Sequence, residues 1–398
     1  MRILWFVSTI EDTRFLKEFE KHCDHVIDVF NINFITRFDL RKHEGKQLLP
    51  KYKSAYKALA IEDDLDKVFN VLSGRLTKEH AEKAYRATQG QLESYLRSIK
   101  DEVVFIIPSG RHVHHVAATR VATKNSINRI YINYSNFPGY TFFDPEGTDC
   151  LASIFRDPER LNRLYNDREI DIDATFKDFA QLKHQQKSIP QKASGGLKSK
   201  IKQSAFLADT LLQYLSGVVG DRRTQFTSDK KEETEALSYS ALDASKPFLF
   251  FPLQVSTDQQ VLVNYEGGSI YKAIDEAYEY AKLKGLPLYV REHPAEGNKN
   301  AVRVYLKKLA LNADFKVTDA SVSELITGCQ EVITINSTVG LESRINRKPV
   351  HFLGKSFYAK ATNLQLAYYL KFYFVAVDYH MPSVQKNTVL KILNRSIL

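Results

Sequence analysis

The sequence is poor in cysteine and in long apolar runs, and each shortage excludes something. Cys23, Cys150 and Cys329 are isolated. Three cysteines without paired spacing exclude a disulfide framework and a thiolate metal site, and suggest free thiols in a reducing compartment. No apolar run approaches the roughly 18 residues of a membrane-spanning helix. The opening stretch MRILWFVSTI turns polar too soon for a secretory leader and has no small-residue cleavage site; it reads as a first strand. No repeat of fixed period and no low-complexity tract occurs. What is present is an ordinary globular composition. The chain has 398 residues, 43% hydrophobic and 26% charged, enough for about two or three domains. A net charge of +9 favours an anionic partner such as a nucleotide, a nucleic acid or an acidic membrane surface. A moderate basic excess also serves solubility alone.

Apolar patterning alternates between strand and helix periods at both ends of the chain. Arg2–Ser8, His25–Phe30, Val103–Pro108 and Ile130–Tyr134 read as strands. Helical stretches over Thr13–His22, Lys78–Ile99 and from after Arg111 to Thr123 separate them. The rhythm restarts with strands at Phe248–Leu253, Pro287–Val290, Phe315–Val317, Glu331–Ile335 and Val350–Leu353. Helices over Tyr265–Lys284, Lys299–Leu311 and Val322–Thr327 lie between them. This alternation predicts α/β architecture with doubly wound parallel sheets. The expected organisation is a Rossmann-like domain over 1–155, a helical and basic connection over 156–245, a second Rossmann-like domain over 246–360 and a closing segment, mainly helical, over 361–398. Lys183–Lys202 is basic, and Ile201–Leu215 has amphipathic helical spacing; they suit lipid headgroups or a solvated connector equally. Gly217–Ser245 reads as a polar linker.

The chemistry concentrates after strands. EVITINSTVGLESRINRKP (331–349) reads as strand, turn and helix start. Asn336, Ser337 and Thr338 are cap-type residues, and a helix start offers N–H groups and a positive dipole end to an anion. An ordinary capped helix has the same pattern. The loops Gln254–Gln260 and Arg291–Glu296 also follow strands, and carboxyl ends of parallel strands share one edge. The three loops would gather Asp258, Arg291, His293, Ser337, Thr338 and Glu342. Arg291, His293 and the 337–338 turn suit a phosphate. Glu342 suits ribose hydroxyls, and Asp258 suits a nucleophile or base. In the first half, Gly110 and Arg111 follow a strand. His112, His114 and His115 lack a carboxylate or cysteine partner of metal-site spacing and default to a helix face. The loop from Asn136 to Asp149 is aromatic and acidic, suiting either a sugar or base wall or simple packing.

Three motifs together, PLQVSTDQQ (252–260), REHP (291–294) and TINSTVGLES (334–343), resemble the bacterial capsule polysaccharide biosynthesis and export family. That family includes retaining β-Kdo transferases that build a Kdo linker on phosphatidylglycerol. The resemblance is strongest over about 245–355 and weaker over 103–155. The single-module length is more similar to enzymes adding the first Kdo. It implies a GT-B-like fold, two Rossmann-type domains facing a central cleft, with the nucleotide held mainly by the second. It further implies a glycosyltransferase using CMP-Kdo, or another sugar nucleotide, on a lipid-linked acceptor. A non-catalytic capsule assembly or export factor is the alternative. By the same resemblance Asp258 and His293 are catalytic. Gln254, Arg291, His293, Pro294, Asn336, Ser337, Thr338 and Glu342 hold the nucleotide. Gly110, Arg111, Asp144 and Glu146 line the acceptor side. No metal or other cofactor is expected, nor a nucleic-acid partner, since no RRM, KH or helix-turn-helix signature occurs. The expected place is the cytoplasmic face of the inner membrane, peripherally attached, with other capsule proteins as possible partners. Two departures stand out. The family's usual Lys is Arg291, and its first-domain Glu has no counterpart in YINYSN (131–136), leaving Asp144 or Glu146 as substitutes.

Overall fold

A computed structural model describes residues 1–135, 137–184, 197–221 and 235–397. The central part of the basic run (185–196), the middle of the expected linker (222–234) and Asn136 lie outside the described residues. The chain forms two α/β units.

The first unit comprises 1–157, 194–225 and 371–398. Its strands are β1 (Arg2–Val7), β2 (Val26–Asn31), β3 (Gln47–Leu48), β4 (Val103–Pro108), β5 (Asn128–Tyr134) and β6 (Thr141–Asp144). They form one sheet in the order β3-β2-β1-β4-β5-β6. All pairs are parallel except β5 with β6. The aromatic loop therefore contains a strand that the sequence pattern concealed, because Phe142 and Phe143 are adjacent apolar residues rather than alternating ones. β1 is buried from Ile3 to Val7, as a central parallel strand covered on both faces must be. The helix Ile10–Glu20 starts earlier than its apolar spacing suggests, because Thr9 and Asp12 make a reciprocal capping box.

The second unit comprises 158–193 and 226–370. Its strands are β7 (Leu249–Pro252), β8 (Leu288–Arg291), β9 (Phe315–Val317), β10 (Glu331–Thr334) and β11 (Val350–Phe352). They form an all-parallel sheet in the order β11-β10-β7-β8-β9. Consecutive strands diverge from β7, so the order reverses between β7 and β10, where open sheets leave a crevice.

The connection expected over 156–245 is not a region of its own. The helix Glu159–Tyr165 packs on Asn363–Tyr368, with Gln365 donating to Glu159 at 2.9 Å. Arg347 pairs with Asp173 at 2.6 Å and lies over Phe176 in the helix Ile172–His184. These contacts put the described residues 158–184 in the second unit. The helix Leu197–Ser216 belongs to the first, where Asp209 accepts from the backbone N–H groups of Phe34 and Ile35 at 2.7 and 3.2 Å. The closing segment is also divided, and it is not continuously helical. Val375 exchanges backbone hydrogen bonds with Thr141, and Val375, Val377, Tyr379 and Ile392 enter the first unit's core. Side chains with no helical period are thereby used as a strap across one sheet.

Candidate functional site

The second unit brings the three motif loops to one sheet edge. β7 stands between β10 and β8, so the loop after β7 touches both neighbours. Gln254, buried, accepts from the Asn336 backbone N–H at 3.2 Å. Asn336 and Asn264 both donate to Gln260 Oε1, at 2.8 and 2.7 Å. On the other side, Glu296 accepts from the Ser256 backbone at 2.7 Å, its hydroxyl at 2.9 Å, and the Asn298 backbone at 2.7 Å. Glu296 is buried and welds the loop after β8 to the loop after β7. Sequence reasoning passed over it as one acid in a loop. Its signal would have been a carboxylate six residues after a strand, opposite a Ser-Thr turn.

The helix Thr338–Ile345 begins at this edge. Ser337 is its N-cap residue by backbone shape, yet its hydroxyl pairs with Thr334 Oγ1 at 2.8 Å instead of capping. The helix lies close on the sheet because residue 340 is glycine. A Cβ there would stand 2.8 Å from the Phe352 ring and 2.9 Å from Thr334 Cγ2. Asp258 is half-buried and caps the short helix Gln259–Leu262, its Oδ1 accepting from the Gln260 N–H at 2.8 Å. Glu342 is half-buried one turn into its helix.

The motif after β8 lines a cavity of about 190 Å³ with Tyr239, Lys299, Arg303, Thr318 and Asp319. Arg303 grips Glu292 with two bonds of 2.8 and 3.0 Å, so that acid is neutralised. The Arg291 guanidinium, in contrast, has no ion-pair partner among the described residues, and its Nε is buried without a hydrogen bond. Lys299 is exposed and likewise makes no ion pair among the described residues. His293 accepts from the Ala295 N–H at 3.2 Å, and burial lowers its pKa. Two cations without an ion pair among the described residues, beside an imidazole whose pKa is lowered, are suited to an anion.

The residues expected on the acceptor side belong to the first unit and are mostly structural. Gly110 has φ +74°, and a Cβ there would meet the Tyr131 ring at 2.9 Å. Arg111 is buried, donating to Thr148 O and Cys150 Sγ at 3.3 Å each. Asp144, expected as an acid or base, stands at the end of β6. Asp144 is fully buried and accepts from the backbone of Glu146, Gly147 and Ser153, the Ser153 hydroxyl and the Tyr373 hydroxyl. A carboxylate so enclosed anchors β6 to the strap at Tyr373. Glu146 is paired with Arg156 at 3.1 Å near the surface. Asp149, at the end of the same loop, is half-buried, has φ +52° and takes the Asn133 amide at 3.4 Å.

His112, His114 and His115 are not a helix's solvent face. His114 and His115 are buried and His112 is half-buried at the start of the helix Val113–Lys124, and burial lowers each pKa, that of His114 to about 4. Among the described residues, no group of three or more His, Cys, Asp or Glu is placed to hold a metal.

Comparison with known proteins bears on the motif region directly. Residues 198–362 match the model of the family described as capsule polysaccharide biosynthesis protein. The match spans about two-fifths of the chain, and it is a similarity of that segment to the family. All three loops of the sheet edge fall inside it. Protein FixF of Sinorhizobium fredii (strain NBRC 101917 / NGR234) is 30% identical over 123 residues, which are 30% of this chain and 29% of FixF. Among solved structures, Thermosulfurimonas dismutans KpsC, a beta Kdo 2,7 transferase, is similar over 99% of both chains at 13% identity, with a TM-score of 0.46. Methanocaldococcus jannaschii UDP-GlcNAc 2-epimerase is similar over 99% of both chains at 12% identity, with a TM-score of 0.31. The α/β description of this chain rests on its own two sheets.

Proposed function

We propose that the protein is a glycosyltransferase of capsule polysaccharide assembly whose second unit binds a nucleotide sugar. The observation that carries this is the welded loop edge, with Arg291 and Lys299 making no ion pair among the described residues beside His293. A glycosyl transfer from a nucleotide releases negative charge on phosphate, and preorganised cations and N–H groups stabilise it as the bond breaks. Arg291, His293 and the turn at Ser337–Thr338 are suited to that role. The donor in this reading is CMP-Kdo, with retention. Asp258 attacks the anomeric carbon while the phosphate oxygen departs with the bonding pair. An acceptor oxygen then attacks the same carbon, and the pair returns to the Asp258 carboxylate. The acceptor hydroxyl must lose its proton to a base.

The acceptor in this reading is a lipid of phosphatidylglycerol type, reached at the cytoplasmic face of the inner membrane. No helix of the described residues is long and apolar enough to cross a membrane. The helix Leu197–Ser216 exposes Leu207, Leu211, Tyr214 and Leu215, a surface suited to peripheral contact. Flotation with anionic liposomes checks this, with loss of binding expected on replacing Leu211 and Leu215 by Ser.

The deciding experiment mixes the purified protein with CMP-Kdo generated in situ and a fluorescent phosphatidylglycerol analogue. A one-Kdo adduct by mass spectrometry is the expected product. The enclosure of Asp144 favours one other reading, a capsule assembly factor without turnover. CMP binding with no release of CMP from CMP-Kdo, whatever the lipid or glycan acceptor, would establish that reading instead.

A further inference from the structure

We propose that the cavity beyond β8 holds the base of the donor nucleotide, and that Asp319 with Lys299 selects cytosine over uracil. The inference rests on the donor reading above and extends it to residues that the motifs do not include.

The sheet order fixes the layout. Arg291 ends β8, while Thr318 and Asp319 follow β9, the edge strand. Tyr239 lies outside β9, because the Ser240 N–H donates to Val317 O at 2.7 Å. Moving outward from the crevice, the lining runs from Arg291 and His293 to Thr318 and Asp319 and then to Tyr239. A phosphate held at the inner end sends the rest of its nucleotide outward along this edge.

Size and surface fit a ring. The cavity's 190 Å³ is below the roughly 300–1,000 Å³ of pockets that enclose a drug-sized ligand. It has room for one small planar group. The Tyr239 ring is 42% exposed, and its hydroxyl is tied to Glu292 at 2.8 Å, which fixes the ring's orientation. Glu292 and Arg303 form a bidentate pair, a flat surface with no net charge. Such surfaces stack on bases.

Two lining charges remain available. Asp319 and Lys299 make no hydrogen bond or ion pair among the described residues. Together they offer one acceptor and one donor to the edge of a base. Cytosine presents an exocyclic amine, which donates to a carboxylate, and a ring carbonyl, which accepts from an ammonium. Uracil replaces the amine by a second carbonyl and sets it against the Asp319 oxygens. A polar group left facing the wrong partner is the strongest source of discrimination between near-isosteres.

Isothermal titration of the full chain with CMP, UMP and ribose 5-phosphate tests this, using wild type, Asp319→Ala and Tyr239→Ala. Wild type should prefer CMP to UMP by about tenfold or more. Asp319→Ala should erase most of that preference without changing ribose 5-phosphate binding. Tyr239→Ala should weaken both nucleotides and leave ribose 5-phosphate unchanged. CMP bound with undiminished affinity and preference by both variants would overturn the pocket while leaving the donor reading intact. A wild-type protein that does not bind CMP would overturn both.

Discussion

At the residue scale, two aspartates that look alike in the sequence have opposite fates. Asp258 sits half-buried at a helix start beside the welded loops. Asp144 is enclosed by donors from three elements. Asp258→Asn keeps an N-capping side chain. It should abolish transfer while CMP binding and thermal stability stay near wild type; retained transfer would remove Asp258 as nucleophile. Asp144→Ala leaves several buried donors without an acceptor, at a cost of about 3–5 kcal/mol. Urea denaturation should show that loss directly, and a stable but inactive Asp144→Ala protein would restore its catalytic role. Neither fate can be read from sequence, because both residues are acids in loops flanked by apolar strands. Three-dimensional partners separate the two.

At the element scale, the helix Thr338–Ile345 depends on close approach to the sheet. Gly340→Ala would push a methyl group into Phe352 and Thr334, both at the base of the turn that presents Ser337. Overpacking of this kind costs about 1–3 kcal/mol. It should shift the helix start and weaken CMP binding more than it lowers the melting temperature of the first unit. Glu296→Gln removes the charge that holds Ser256 and Asn298, so the two loops should loosen. The expected readout is weaker nucleotide binding with little change in global unfolding. Strand positions at this edge were legible because β-branched and aromatic runs have few other uses. The ties between loops were not, since Gln254, Gln260 and Glu296 are polar residues whose partners lie up to 82 positions away.

At the scale of the whole molecule, buried histidines set an acid limit. His112, His114 and His115 all have pKa values lowered by burial. A histidine held neutral in the fold binds a proton more readily when unfolded. Its contribution is therefore complete above the unfolded value of about 6.5 and is lost as pH falls through the folded value. For His114 that window runs from about 6.5 down to about 4. His43 acts in the opposite sense, raised by Glu20 in spite of burial. Denaturation midpoints measured from pH 7.5 to pH 4.5 should fall steeply below pH 6.5. Replacing His114 by Gln should flatten the curve if the fold tolerates it, and His115→Phe offers an apolar alternative. Unchanged midpoints down to pH 5 would contradict the assignment.

Taken by itself, the sequence determined the α/β class, most strand positions and the order of the three motif loops. These follow from local periodicity and from residue types with narrow backbone preferences, such as the runs at Val103–Pro108 and Glu331–Thr334. It also placed Asp258, Arg291 and His293 after strands, which sets them at the carboxyl edge of a parallel sheet. Only the tertiary structure decided how the connecting and closing segments divide between two units, and that β6 pairs antiparallel. It alone placed Tyr239, Lys299 and Asp319 around one cavity and enclosed the Asp144 carboxylate. The physical reason is range. Propensity and capping act over a few residues, whereas burial and hydrogen-bond partnership depend on chain segments brought together from far apart.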